Sequence, residues 1–403
     1  DTPYIKYNNK FDKSSWKEVF NIISSKIKAT DKSKICGFTG DLNNMESLYI
    51  FKEFFNKVLK NNNYDCRSSN QYINNSKRED YLFNSSINGI EDSDFIFLIG
   101  TNIRHEATIL NSRIRKSFLN NDTKIISLND QGDLTFPYES LNGDSETIKN
   151  ITEGNHSVSE LLINSRKPMI ILGPSVFENQ SGEYIFESLK KFLFSKNKIS
   201  ENWNPLNVIS LDASRIGSLD LGIINSEDGY NNLLNDLNNQ KFDIVFLFGQ
   251  DNLVFDKKDQ FVIYIGSHGD AGAEIADVIL PGSAYTEQDG YFTNLEGKLQ
   301  KAFKASYPPG DAKEDWIIIN ELSEKISGKK LYQDKNDLQK AMINFLNIFY
   351  EEDKKKKIVV KDNLNFIKEK IKTNKIDYYY SNVIARASKT MSMCRETKDI
   401  NHD

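Results

Sequence analysis

Two seven-residue runs, 94–100 (DFIFLIG) and 243–249 (DIVFLFG), constrain the fold more than any other feature of this 403-residue chain. Each is a continuous apolar run, the pattern of a strand buried on both faces of a sheet. Each ends at glycine followed by polar residues, Gly100-Thr101-Asn102 and Gly249-Gln250-Asp251, as if one turning device were used twice. Similar runs occur at 34–39 (KICGFT), from 124 (KIISLN), and at 168–173 (PMIILG), 207–211 (NVISL), 261–266 (FVIYIG) and 277–280 (DVIL). The last must stop at Pro281-Gly282, because proline cannot continue a central ladder. Between the strands lie helical stretches with one apolar face. One is 44–60, through Leu48, Phe51, Phe55, Val58 and Leu59; another runs to Leu119, through Ala107, Leu110, Ile114 and Phe118; a third is 183–194.

Strand–helix–strand alternation predicts βαβ units, hence an α/β protein with mainly parallel sheets flanked by helices. The repeated turn device suggests two related lobes with a boundary near 142–167. The expected division is a first lobe over 1–150, a second over 151–310, a helical region over 311–350, and a linker and packing tail over 351–403. In the helical region, 315–327 and 337–350 read as amphipathic helices, and the charge run 351–357 as a solvated linker. From Ile376 the tail carries three tyrosines and a short helical pattern, so it is expected to pack on a surface, its own or a partner's.

Composition excludes several functions. No run of 18 apolar residues exists, so no membrane span is expected. A net charge of −5 with no basic stripe argues against nucleic acid. The three cysteines, Cys36, Cys66 and Cys394, are too far apart to hold an iron–sulfur cluster, and a disulfide framework is equally unsupported. His105, His156, His268 and His402 form no zinc-ligand pattern. The sequence opens at Asp1 without methionine or an amphipathic leader, so the expectation is a cleaved targeting segment or a late start.

The stretch 264–304 holds most of the candidate site residues. Gly266, His268, Gly269, Asp270 and Gly272 precede the 277–280 strand, and Thr286, Glu287, Asn294, Glu296 and Gly297 follow it. Polar side chains and exposed amides at the end of a parallel strand suit a phosphate-bearing cofactor. Gly100 and Arg104 begin a second such loop, where a strand feeding a helix offers free N–H groups. The plainer reading has Asn102 capping that helix and Arg104, Arg113 and Arg115 pairing with surface carboxylates. Without a GxGxxG, a nicotinamide site is not expected. His268 is either a general base or ligand, or a hydrogen-bonded loop residue. Glu287, Asp289 and Glu296 read as turn and capping residues rather than an acid–base set, and Cys66 as an ordinary buried thiol.

Taken together, GSHGDAGAEIADVILPGSAYTE and GYFTNLEGK resemble the molybdopterin oxidoreductases, in the version carried by the large iron–sulfur subunits of respiratory complex I. The likeness continues through SWKEVF (15–20), NSSINGIEDSDFIFLIG (84–100), KPMIILGPS (167–175), YPPGDAKEDWIIINELSEKISG (307–328) and DYYYSNVIARASKTMSMC (377–394). It implies a domain that keeps the oxidoreductase fold without its chemistry, with degenerate cofactor loops near Gly100, Arg104, His268, Asp270, Glu287 and Asn294. It implies no catalytic residue, metal or cofactor on this chain. Clusters would sit on a separate cysteine-rich iron–sulfur chain, with other peripheral-arm subunits as partners, on the matrix side of the mitochondrial inner membrane or the bacterial cytoplasmic face. In molybdenum formate dehydrogenases a position like Cys66 precedes a loop supplying the metal's thiolate or selenolate. Here Arg67, Ser68, Ser69 and Asn70 follow instead. Alternatives are an active molybdopterin-dependent oxidoreductase and a scaffold outside respiration.

Overall fold

The computed structural model describes residues 1–226, 228–362 and 364–400, with side chains through 398. Each long apolar run becomes a strand. Phe95–Ile99, Pro168–Leu172 and Ile244–Phe248 are buried at every position. They build two sheets. A seven-stranded sheet has the order Lys10–Lys13, Tyr4–Tyr7, Val278–Pro281, Phe261–Gly266, Ile244–Phe248, Ile35–Thr39, Tyr64–Asp65. Its ladders are parallel except at the N-terminal hairpin, which is antiparallel both within itself and to Val278–Pro281. A five-stranded sheet, Glu139–Leu141, Lys124–Leu128, Phe95–Ile99, Pro168–Leu172, Leu206–Val208, is parallel throughout.

Alternation along the strands gives each sheet a core on both faces. Ile244, Phe246 and Phe248 enter one cluster and Val245 and Leu247 another. Phe95, Phe97 and Ile99 likewise part from Ile96 and Leu98. Helix Met45–Glu53, continued by wider turns over Phe54–Leu59, covers the first sheet with aromatic rings; Phe51 stacks on Phe248 at 5.0 Å.

Each sheet centres a lobe, and the lobes do not follow one another along the chain. A division at 150/151 would cut the five-stranded sheet, which takes strands from both sides of it. The seven-stranded sheet instead joins residues 4–65 to 244–281, and the five-stranded sheet is formed between them. Strand sequences fix burial, whereas the choice of neighbour depends on pairings far apart in the chain, so the discontinuity had no local signal.

Smaller differences also have local causes. The helix expected to run from Gly100 to Leu119 is two pieces, Ile103–Glu106 and Thr108–Asn121, broken at Ala107 (φ −147°). The Thr101 hydroxyl donates to Glu106 Oε2 at 2.6 Å and holds the first piece against the strand end. Helix Lys335–Lys355 overruns the expected 351–357 linker. Buried Asp353 accepts from the Arg78 N–H at 3.1 Å, and Lys354 and Lys355 suit the negative end of the helix.

Candidate functional site

Open parallel sheets bind ligands beyond the carboxyl ends of their strands, where the strand order reverses. In the seven-stranded sheet that point lies between Ile35–Thr39 and Ile244–Phe248, and in the five-stranded sheet between Phe95–Ile99 and Pro168–Leu172. Both places carry the same glycine pair. Gly249 and Gly100 each have φ +60°, which favours glycine. Gly40 and Gly173 donate to the Phe248 and Ile99 carbonyls at 2.8 and 2.9 Å. A Cβ on Gly40 would overlap the Gly249 carbonyl, and one on Gly173 the Gly100 carbonyl.

The chemistry beyond the two pairs differs. At the five-stranded end, Asn102 accepts from the His105 N–H and caps the short helix, and Arg104 pairs with Asp133 at 2.7 Å. Burial pushes the Glu106 carboxyl up to about 7. At the seven-stranded end carboxylates gather. Asp251 accepts from the Tyr264 hydroxyl at 2.9 Å and the Gly272 N–H at 3.2 Å, and Asp315 from the Ser283 N–H at 3.1 Å and Gln288 at 3.0 Å. Burial pushes both up to about 6. Asp41, raised to about 7 by burial and by neighbouring Asp212, lies beside them.

The C-terminal segment fills this mouth. Asn382, Val383, Ile384 and Arg386 line it together with Asp41, Asp251 and Asp315, leaving a void of about 50 Å³. Arg386 donates to Asp270 at 2.5 Å and to Asn252 at 3.3 Å. Between the lobes remains a cavity of about 270 Å³, with an apolar wall including Tyr72, Phe177 and Ile216. Its polar side holds Arg215, which donates to Asp212 at 2.5 Å and Gln71 at 3.2 Å.

The residues singled out from sequence are dispersed. Gly100 lies beneath Ile371, its carbonyl accepting from the Ser175 hydroxyl at 2.6 Å. His268 is half-buried, its ring bonded to Ser267 Oγ at 2.9 Å and its carbonyl accepting from Tyr264. Glu287 accepts from the Ala284 N–H at 2.9 Å, and Asn294 from the Glu296 and Lys298 amides at 3.1 and 2.8 Å. Both serve as turn residues. Glu296 reaches the other lobe, accepting from the Ile87 N–H at 2.7 Å. Among the described residues no hydrogen bond or ion pair joins Gly100 or Arg104 to His268 or Asp270; the C-terminal segment is what reaches both ends. Cys66 is buried, its thiol pushed up to about 12 by burial.

Sequence reasoning missed Asp41, Asp212, Arg215, Asp251 and Asp315. Gly40-Asp41 following the KICGFT strand repeats the Gly-polar ending and was a usable signal; Asp212 and Arg215 carry none.

These residues do not fit a pterin dinucleotide. Its phosphates would face Asp41, Asp251, Asp270 and Asp315, and its volume would have to displace residues 382–386. Among the described residues no thiol lines the interlobe cavity: Cys66 packs into the core, and Ser68 is at the cavity wall instead.

Comparisons with known proteins agree with the fold. The chain is 36% identical to the NADH-ubiquinone oxidoreductase 75 kDa subunit of Reclinomonas americana, over 100% of this chain and 61% of that protein. It is 34% identical to an NADH-quinone oxidoreductase subunit of Rickettsia bellii, over 99% and 58%. The chain thus spans roughly three-fifths of these relatives. The acetylene hydratase of Pelobacter acetylenicus shares the fold at a TM-score of 0.51 and 13% identity, covering 87% of this chain and 65% of that one. The family description molybdopterin oxidoreductase matches residues 1–325, and the chain belongs to that family.

Proposed function

We propose that this chain is a non-catalytic structural part of the peripheral arm of respiratory complex I. In this reading it packs against a cysteine-rich polypeptide that carries the iron–sulfur clusters. Electrons from NADH pass to ubiquinone through that neighbour, and this chain holds and shields it without donating a reacting group. The observation that carries the reading is the state of the strand ends. The strand ends where open parallel sheets bind ligands are, in the seven-stranded lobe, lined by carboxylates and filled by the chain's own C-terminal segment. Likeness to the complex I subunits along nearly the whole chain supports the setting. No helix among the described residues is long and apolar enough to cross a membrane, in keeping with a peripheral position.

The test is native purification from solubilised membranes, with mass spectrometry of every accompanying chain. The expected result is recovery in a large NADH-oxidising assembly beside a separate cysteine-rich polypeptide. Recovery in a small particle containing molybdenum or tungsten and pterin would replace this reading with an active oxidoreductase. Recovery in a small particle without them would leave a scaffold.

A further inference from the structure

We propose that residues 366–386 form a two-point strap: fixed to the five-stranded lobe, latched releasably to the seven-stranded lobe, and occupying in cis the crevice where a phosphate-bearing ligand would lie.

The first anchor is held by its backbone, bonded chiefly to serine and asparagine side chains of the lobe. The Ile367 carbonyl accepts from the Ser145 and Ser181 hydroxyls at 2.8 and 2.5 Å, and the Ile367 N–H donates back to Ser181 at 2.8 Å. Glu369 exchanges bonds with Ser145 at 2.9 and 3.0 Å. The Ile371 carbonyl accepts from Asn129 at 3.2 Å, and its side chain, 2% exposed, belongs to the lobe's core over Gly100. Desolvated backbone bonds and a buried side chain open only with the lobe.

Beyond it the character changes. No residue from 372 to 387 is buried. Tyr378 meets His105 Nδ1 at 2.5 Å, then Arg386 crosses to Asp270. Both partners of that ion pair are about one-quarter exposed, at 26% and 28%, so the contact is screened and weak. The mouth it enters nevertheless selects for it. Asp41, Asp251, Asp270 and Asp315 repel a phosphate and attract a guanidinium, and the charge of Arg386 is felt at both Asp41 and Asp251. A latch made by charge on an exposed segment is one that salt or a competing cation can open.

The strap stands independently of the complex I reading, because every contact lies within one chain. The test is hydrogen exchange with mass spectrometry on the full-length chain, comparing the native protein, Arg386→Glu, and Arg386→Glu combined with Asp270→Arg. The expected outcome is a roughly tenfold faster exchange over 378–387 in the single variant, partial recovery in the charge-swapped pair, where the carboxylate introduced at position 386 still faces Asp41 and Asp251, and no change over 367–371. Both positions are partly exposed, so the fold is retained. Equal exchange in native and single variant, or fast exchange across all of 366–386 in the native chain, would overturn the proposal. A fluorescent adenosine or guanosine diphosphate, taken only as a generic phosphate-bearing ligand, is the occupancy probe. No saturable binding to the native chain at millimolar concentration is expected, and saturable binding with 378–387 still protected would show that the strap does not fill the crevice.

Discussion

The two lobes turn their central strands with the same glycine pair and then use the space beyond it in opposite ways. In the five-stranded lobe the chain after Gly100 runs into a capped helix, and the strap lies down as though it were a further piece of the lobe. In the seven-stranded lobe Gly249 leads into a loop whose Asp251 ties back to Tyr264 and Gly272, and the strap is tied by Arg386, with Asn382, Val383 and Ile384 lining the mouth beside it. Backbone geometry at a strand end is therefore separable from the chemistry placed on it. The shared part is steric and tolerates no side chain; the divergent part is electrostatic.

The sharpest way to break this comparison is to add a methyl group to each pair. Gly40→Ala and Gly173→Ala both force a Cβ into a backbone carbonyl that cannot move aside. Each should cost about 4 kcal/mol, read as a shift in the urea midpoint, and abolish folding if the chain is marginal. A cost at Gly173 less than half that at Gly40 would mean the lobes do not depend equally on the device.

Next come the buried ion pairs, one beside each lobe. Arg67 and Asp65 are wholly buried, and Arg67 also donates to the carbonyls of Gln71, Asn225, Gly229 and Tyr230. Arg67→Met should destabilise by about 3–5 kcal/mol in chemical denaturation, since it strands a charge and four carbonyls. Lys190 pairs with Asp80 at 2.6 Å, and burial already raises Asp80 to about 6. In Lys190→Met that carboxyl takes up a proton, so the loss should be smaller, about 1–3 kcal/mol at pH 6.

A pH series compares Asp41 with Glu106, which follow the two glycine pairs and are both raised to about 7. With the folded value raised, the fold prefers the protonated form. That contribution is full below about pH 4 and is lost as pH rises through about 7. Thermal midpoints of the native chain should therefore fall between these limits, and Asp41→Asn and Glu106→Gln should each flatten part of that fall. If only one does, the burial of the two carboxyls differs in effect.

The smallest effect is expected at Arg104. Its pair with Asp133 is 41% and 75% exposed, so Arg104→Ala should change stability by less than about 1 kcal/mol at moderate salt. A larger loss would give this loop a binding role that the seven-stranded mouth lacks.

Much of the fold was legible residue by residue. DFIFLIG and DIVFLFG announced strands covered on both faces, and their shared Gly-polar ending correctly marked one device used twice. Asn102 as a cap, Glu287 as a turn residue, and Cys66 as a buried thiol followed from local chemistry, whereas Asn294, read with the cofactor loops, is a turn residue too. The helix through Lys355 hid behind its charge run, because a solvated face and a linker look alike in sequence. Asp41 and Asp251 sit in Gly-polar strand endings that could have been read, but nothing in their spacing brings them together with Asp315.

By itself the sequence determined where strands and helices form, the parallel α/β class, and the family resemblance, because apolar period, caps and breakers act over a few residues. Only the tertiary structure decided that one lobe interrupts the other, and that the tail's destination is its own chain's crevice. It also decided which carboxylates lose water and rise in pKa. Those outcomes depend on pairings between residues hundreds of positions apart, as when Arg386 meets Asp270 or Ile244 lies beside Ile35. No local pattern encodes which distant surface will be the one to exclude solvent.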